Sequence, residues 1–379
     1  MFSERVPEDL RPNAITKAIE ARGGVTYDLT ATNPTCCGLT YPVDLLRSLG
    51  DPGALGYRPD PLGLRSAREA VAGEYARRGL DVDPERIVLT ASSSEAYGFL
   101  FKLLCDPGDT VLVPSPSYPL FEHLARLDGV RTRPYALDPD AGWQPEPIDP
   151  GADRARAVIA VHPNNPTGSF LNERGRAELV RACAIGGAAL IVDEVFFDYG
   201  LGATRSTSFA TNDEVLTFTL GGLSKSAGLP QLKLSWIVVS GPGADEALER
   251  LAFIADNYLD VATPVQLALP EILRAALPVR SAILERCREN LTALVEAVAA
   301  AQGVSVIEPQ GGWSACLRYP AVIAEEKLVL DLIEHDDVAV HPGYFFDFPT
   351  EGYLVVSLLP PPDLFRDGLR RLLVRLSSP

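Results

Sequence analysis

Between residues 64 and 240 the chain alternates between two hydrophobic periods. Over 64–79 (LRSAREAVAGEYARRG) apolar residues recur at helical spacing, and RIVLTA (86–91) follows as a short apolar run bounded by polar residues. Helical periodicity returns in SEAYGFLFKLLC (94–105) and stops at Asp106-Pro107-Gly108, a strong terminator. TVLV (110–113), AVIAV (157–161), AALIVD (188–193), VLTFTL (215–220) and SWIVVS (235–240) are further short β-rich runs. Runs that are apolar throughout suit strands covered on both faces. Strands alternating with helices predict a mainly parallel sheet with right-handed crossovers.

After residue 240 the texture changes. Two helical stretches, 264–276 and 280–301, lead to VSVIE (304–308), WSACLRY (313–319), VAVH (338–341) and YLVVSLL (353–359), and a last helix is expected over 363–376. The fold class that follows is α/β: a large domain with a mainly parallel sheet sandwiched by helices, plus a smaller α+β domain. We expect an N-terminal segment (1–45) packed on the small domain or on a partner subunit. The large cofactor-binding domain spans 46–280 and the small C-terminal domain 281–379. The length of 379 residues agrees with two units at a prior of roughly 150 residues each.

Composition narrows the partners. A formal net charge of −16 opposes binding to nucleic acid or an anionic membrane, because phosphates are repelled over most of the surface. One local basic pocket for a single phosphate remains compatible with that balance. No apolar run approaches the ~20 residues that span a bilayer, and the mixed-charge start does not resemble a secretion signal. Six cysteines show no metal-type spacing, so reduced thiols and a cytoplasmic location are expected. The four histidines are too dispersed to suggest a metal.

Four segments fall at the C-terminal ends of expected strands, where open α/β sheets place ligands. They are Ser92-Ser93-Ser94 after Thr90-Ala91, the loop from His162 to Gly168 (HPNNPTG), Asp193-Glu194, and Leu223-Ser224-Lys225-Ser226. Taken singly each has an ordinary reading: a helix cap, a turn, a solvated acidic pair, a surface lysine. Their order changes that. HPNNPTG resembles N-P-x-N-P-T-G, DEVF resembles D-E-x-Y, and GGLSKSAGLPQLKLSW resembles S-x-S-K-x-x-G-x-x-G-x-R-x-G. Tyr57 with PLGLRSAREAV, SPSYP around Tyr118, and HPG at 341–343 extend the match. The set resembles, over nearly the whole chain, the fold-type I pyridoxal-phosphate aminotransferases of class I and II.

That resemblance implies pyridoxal 5'-phosphate as cofactor, a small-molecule amino donor with a carbonyl acceptor, and a homodimer with a shared active site. It casts Lys225 as the amine that forms a Schiff base and moves a proton, helped by a desolvated site that favours its neutral form. Asp193 is expected at the pyridine nitrogen, Asn165 at the phenolic oxygen and Tyr118 on the ring face. Ser92, Ser93 and Ser94 are expected near the phosphate, where amides and a helix dipole favour an anion, and Ser224 among the cofactor-binding residues. Lys233 could add positive charge there, and Tyr57 could reach the phosphate of a neighbouring subunit or simply pack a turn.

Four departures from the pattern bear on the chemistry. Lys233 replaces an arginine and so lacks a planar fork. Gly222 replaces a serine, and Phe196 replaces the tyrosine of D-E-x-Y. Val355 stands where the last strand of the family, in a pattern like Y-x-R-x-S, carries the arginine that clamps an α-carboxylate bidentately. Three readings follow. Another cation replaces it, with Arg318 and Arg58 as candidates; the substrate lacks a free α-carboxylate; or the register is displaced and Arg366, in the final helix, is the counterpart. A pyridoxal-phosphate lyase is the first alternative function, since the bond broken depends on how the substrate is clamped. A non-catalytic binding protein of this fold is the second. A nicotinamide dehydrogenase is disfavoured because no G-x-G-x-x-G follows the first strand.

Overall fold

The computed structural model describes residues 2–149, 151, 154–203 and 206–377. Its centre is an eight-stranded sheet in the order Ile87–Thr90, Ser235–Ser240, Thr217–Gly222, Ala189–Asp193, Ala157–Val161, Thr110–Ser115, Arg131–Asp138, Gln144–Pro145. Adjacent strands run parallel from Thr217–Gly222 to Arg131–Asp138, while Ser235–Ser240 and Gln144–Pro145 are antiparallel to their neighbours. Ala157–Val161 is buried at every position, and its residues divide between two cores. Ala157, Ile159 and Val161 pack with the helices Ser93–Leu104, Leu120–Leu127 and Ala244–Tyr258. Val158 and Ala160 face the other side, towards Glu173–Gly186. Side chains of period two on a sheet covered twice produce the continuous apolar runs read in the sequence.

The expected strands 157–161 and 235–240 form at those limits. The run at 215–220 instead starts at Thr217 and continues through Gly221 and Gly222. Both glycines lie against the antiparallel neighbour, where a Cβ on Gly221 would meet the Trp236 indole at 2.5 Å and one on Gly222 the Ser235 Oγ at 2.3 Å. The run 338–341 divides in two. Val338–Ala339 pairs with Tyr27–Asp28, and His341–Pro342 joins a four-stranded antiparallel sheet of Ser305–Ile307, Ser314–Arg318 and Tyr353–Ser357.

The N-terminal stretch has more structure than its pattern indicates, with a helix Ala14–Arg22 capped by the Asn13 side chain. Beyond it, Leu29 donates its N–H to the Ala339 carbonyl and accepts from the Ser357 N–H. The helix Leu277–Ala299 packs along Pro362–Ser377, and Asn290 on it donates to the carbonyls of Leu358 and Pro360. No helix among the described residues is long and apolar enough to cross a membrane.

Glu325 fixes the turn that carries His341 and Phe346 towards the site. It is 1% exposed, and its two oxygens accept from the backbone N–H groups of Tyr344, Gly352 and Tyr353, each at 2.9 Å. Leaving three buried donors unpaired costs on the order of 3 kcal/mol. Glu325→Ala should therefore lower unfolding stability by about that amount in urea titration; a change below about 1 kcal/mol would show that the turn holds without this anchor.

Candidate active site

The C-terminal ends of the parallel strands open onto one cavity. It is lined by Lys225, Asp193, Asn165, Tyr118, Ser93, Ser94 and Ser224, together with residues from the small sheet and the N-terminal stretch. Segments that are far apart in sequence thus meet as the strand-end argument requires.

Lys225 lies on a four-residue helix, Leu223–Ser226, directly after the strand Thr217–Gly222. Its backbone is clamped: Tyr199 donates its hydroxyl to the Lys225 carbonyl at 2.6 Å, Ser226 donates to the Gly222 carbonyl, and Arg280 to the Ser226 carbonyl. The ammonium nitrogen lies 4.9 Å from the Trp313 ring centre and 5.3 Å from that of Phe196. Burial pulls the amine down to about 8, with Asp193 acting in the opposite direction. A neutral, nucleophilic fraction is therefore present near neutral pH.

Asp193 ends its strand, and burial pushes its carboxyl up to about 6. The Val195 N–H (3.1 Å), the Tyr97 hydroxyl (3.2 Å) and the nearby Lys225 charge favour the ionised form. Tyr97 follows Ser93 by four residues on one helix, so both reach the same cavity. Glu194, next in sequence, points elsewhere and is structural. It accepts from the Ser208 hydroxyl at 2.6 Å and the Phe209 N–H at 2.7 Å.

Ser92 caps the helix Ser93–Leu104: its hydroxyl accepts from the Glu95 N–H, and the Glu95 carboxylate accepts from the Ala91 N–H. That reciprocal pair frees the amides at the helix start to face the cavity through Ser93 and Ser94. In the HPNNPTG loop Asn165 lines the cavity, while Asn164 binds Pro116, Ser117 and Thr167. His162 is structural, with Nδ1 accepting from the Leu171 N–H and Nε2 beside the Ser206 hydroxyl. Gly168, at φ +69°, lets the loop dock on the segment before Trp313; a Cβ there would lie 2.3 Å from Pro309.

Lys233, in a left-handed conformation, and Tyr57, 64% exposed, do not line the cavity of their own chain. The hydroxyl missing at Gly222 stands on the opposite strand: Ser235, where the motif has glycine, puts its Oγ into the space a side chain at 222 would fill. Val355 does face the cavity, paired with His341 and Cys316 on the adjacent strands. None of the candidate replacement arginines lines it. Arg318 is four residues beyond the lining residue Ser314 on an extended strand, about 13 Å away. Arg366 pairs with Glu289 at 2.6 Å, and Arg58 is exposed. Thr30, Thr32, Tyr97, Trp313 and Ser314 also line the cavity and carry no motif signal of their own, whereas His341 opens the HPG match. Among the described residues no cluster of ligands could hold a metal ion.

Residues 44–364 match the family profile of aminotransferase class I and II. The chain belongs to that family. It is 28% identical to the glutamate-pyruvate aminotransferase of Haemophilus influenzae, over 99% of this chain and 97% of that protein. It is likewise 28% identical to the alanine aminotransferase of Mycobacterium tuberculosis, over 90% and 83%. An aminotransferase structure from Escherichia coli superposes with a TM-score of 0.86 at 27% identity, covering 100% of this chain and 98% of that one. A double mutant of Thermus thermophilus aspartate aminotransferase gives 0.85 at 25%, covering 99% and 100%. This aminotransferase is an enzyme of fold type I, dependent on pyridoxal phosphate, that passes an amino group from a small donor to a carbonyl acceptor.

The raised Asp193 carboxyl makes a prediction for the cofactor-free protein. Below the unfolded value of 3.8 both states hold the proton. As pH rises the unfolded chain ionises first, so stability falls through about 6 and the full penalty remains above it. Asp193→Asn carries no such penalty. It should be more stable than wild type by about 3 kcal/mol at pH 8 and about half that at pH 5, read from urea unfolding at both values. A difference that does not change with pH would disprove the burial argument.

Proposed function

We propose that Lys225 is the amine that bonds pyridoxal phosphate and carries the proton during amino transfer. The observation behind this is one buried amine and one buried carboxylate sharing a cavity at the strand ends, beside a helix N-terminus. That donor set fits the cofactor: an amine for its aldehyde, a carboxylate for its ring nitrogen, and amides with hydroxyls for its phosphate. When bound, pyridoxal phosphate supplies an electron-withdrawing ring that absorbs the charge left as the donor's α-proton departs.

The rest of the chemistry belongs to the chain. Lys225 Nζ takes that proton and returns it to the neighbouring carbon, which its lowered pKa permits in both directions near neutrality. Asp193, its oxygens held by the Tyr97 hydroxyl and the Val195 N–H, would be the residue to hold the ring nitrogen and keep it protonated. Asn165 and Tyr118, which line the same cavity, would hold the phenolic oxygen and the ring face. Phe196 and Trp313, whose rings meet edge-on at 5.2 Å, keep water from the lysine. Ser93, Ser94 and Ser224 hold the phosphate, with Lys233 adding charge from outside the cavity wall.

The same reading divides the chain into 46–280 for the cofactor and 281–379 for the small domain. It makes the enzyme a cytoplasmic homodimer in which Tyr57 serves the partner's phosphate. The free cysteines and the exposure of Tyr57 support these points. Tyr57→Phe should weaken cofactor retention about tenfold, the effect of one lost charge-assisted bond, in a species that sedimentation reports as a dimer; a monomer retaining full activity would remove this role.

Lys225 is tested by absorbance. The purified holoenzyme should show the band of a cofactor bound through lysine, and Lys225→Ala should lose it along with at least a 10²-fold fall in turnover. Persistence of the band in that variant would move the assignment to another residue.

A further inference from the structure

The cavity wall opposite Lys225 is electrically neutral. The groups charged at neutral pH that line it, among the described residues, are Lys225 and Asp193 alone. Both are committed once the cofactor is held, Lys225 to its aldehyde and Asp193 to its ring nitrogen. Among the described residues that line the cavity, no guanidinium or second ammonium remains to meet a substrate anion.

The wall itself is built from Val355, Trp313, Ser314, Thr30, Thr32 and His341. Val355 is 2% exposed and lies between His341 and Cys316 on adjacent strands. His341 is no hidden cation, since burial lowers its pKa from 6.5 despite the opposing field of Asp28. That field belongs to a carboxylate directly behind the wall: Asp28 Oδ1 accepts from the Thr30 hydroxyl at 2.5 Å and from the Thr30 N–H at 2.8 Å. A substrate carboxylate placed here would lose its water, find no counter-ion, and face a like charge.

Neutral hydrogen bonding, by contrast, is available. The Trp313 indole N–H has no acceptor but is itself fully buried, so it does not face the cavity, and the groups that can hydrogen-bond a ligand there are hydroxyls. Hydroxyls of Thr32 and Ser314 stand on the same wall, and Thr30 Oγ1, already donating to Asp28, can still accept. Buried donors and acceptors of this kind discriminate strongly for an uncharged polar partner.

Resting on the Lys225 reading above, we propose that the amino donor presents an uncharged polar group, such as a hydroxyl, to the Val355 wall in place of an α-carboxylate. The donor class is then a primary amine of the amino-alcohol type. The polar group lies against Ser314 and Thr32 while the amine meets the cofactor near Lys225.

The test compares alaninol with alanine, which differ only in carrying a hydroxymethyl group or a carboxylate. Each is added to the holoenzyme, and the rate of the cofactor's absorbance change gives kcat/KM for the donor half-reaction. We expect alaninol to exceed alanine at least tenfold. Alanine equal or faster, or reaction with neither, overturns the proposal; the first of these outcomes would mean that a cation such as Arg58 reaches the site from a partner. Val355→Arg should invert the preference, raising alanine and lowering alaninol. Because an arginine at a buried strand position risks misfolding, the wild-type ratio is the deciding measurement. Failure here is distinct from failure of the Lys225 assignment, which the Lys225→Ala spectrum reads without any donor.

Discussion

A lysine and an aspartate deprived of water in one cavity are the constraint around which the molecule is arranged. Neither charge is at ease there: burial lowers the amine to about 8 and raises the carboxyl to about 6, and each partly offsets the cost to the other. Holding such a pair requires rigid supports, because a mobile side chain would swing towards solvent. The supports are the strand ends at Gly222 and Asp193, the Tyr199 hydroxyl on the lysine carbonyl, and Tyr97 and Val195 on the carboxylate. Structural strain of this kind is common where a protein prepares groups for chemistry.

The two sheets divide the labour. The large sheet brings amine, carboxylate and helix N-terminus to one line of strand ends. The small sheet and the N-terminal stretch contribute the opposite wall through Trp313, His341, Val355 and Thr30. The first set controls which chemistry the cavity can run, and the second controls what is admitted. The departure that bears on the substrate, Val355, lies in the second set; Phe196, Gly222 and Lys233 depart in the first, where Lys225, Asp193 and Asn165 follow the pattern.

Legibility in the sequence tracked this division. Strands 157–161 and 235–240 are readable because sheet interior on both faces leaves only apolar residues. The strand Arg131–Asp138 is not, since it has four polar residues and Pro134 in eight, tolerable on a strand near the sheet edge with only a two-residue neighbour outside it. The split of 338–341 is likewise invisible, because the choice between two partners is made by tertiary packing. Within the site, residues on motifs could be named in advance. Tyr97 was detectable as the residue one helical turn beyond Ser93. Trp313, Thr30 and Thr32 were not, because they arrive by long-range folding and share no local pattern. The place of the missing hydroxyl at 222 also needed three dimensions.

That last exchange limits how such an enzyme can diverge. Serine at 222 and serine at 235 compete for one volume, since Ser235 Oγ already lies 2.3 Å from the Cβ that position 222 would acquire. The neighbouring strands cannot separate to admit both without breaking the pairing of Gly222 with Ser235. A serine at 222 therefore requires the Ser235 hydroxyl to turn away or be given up, so the two strands share one hydroxyl site between them.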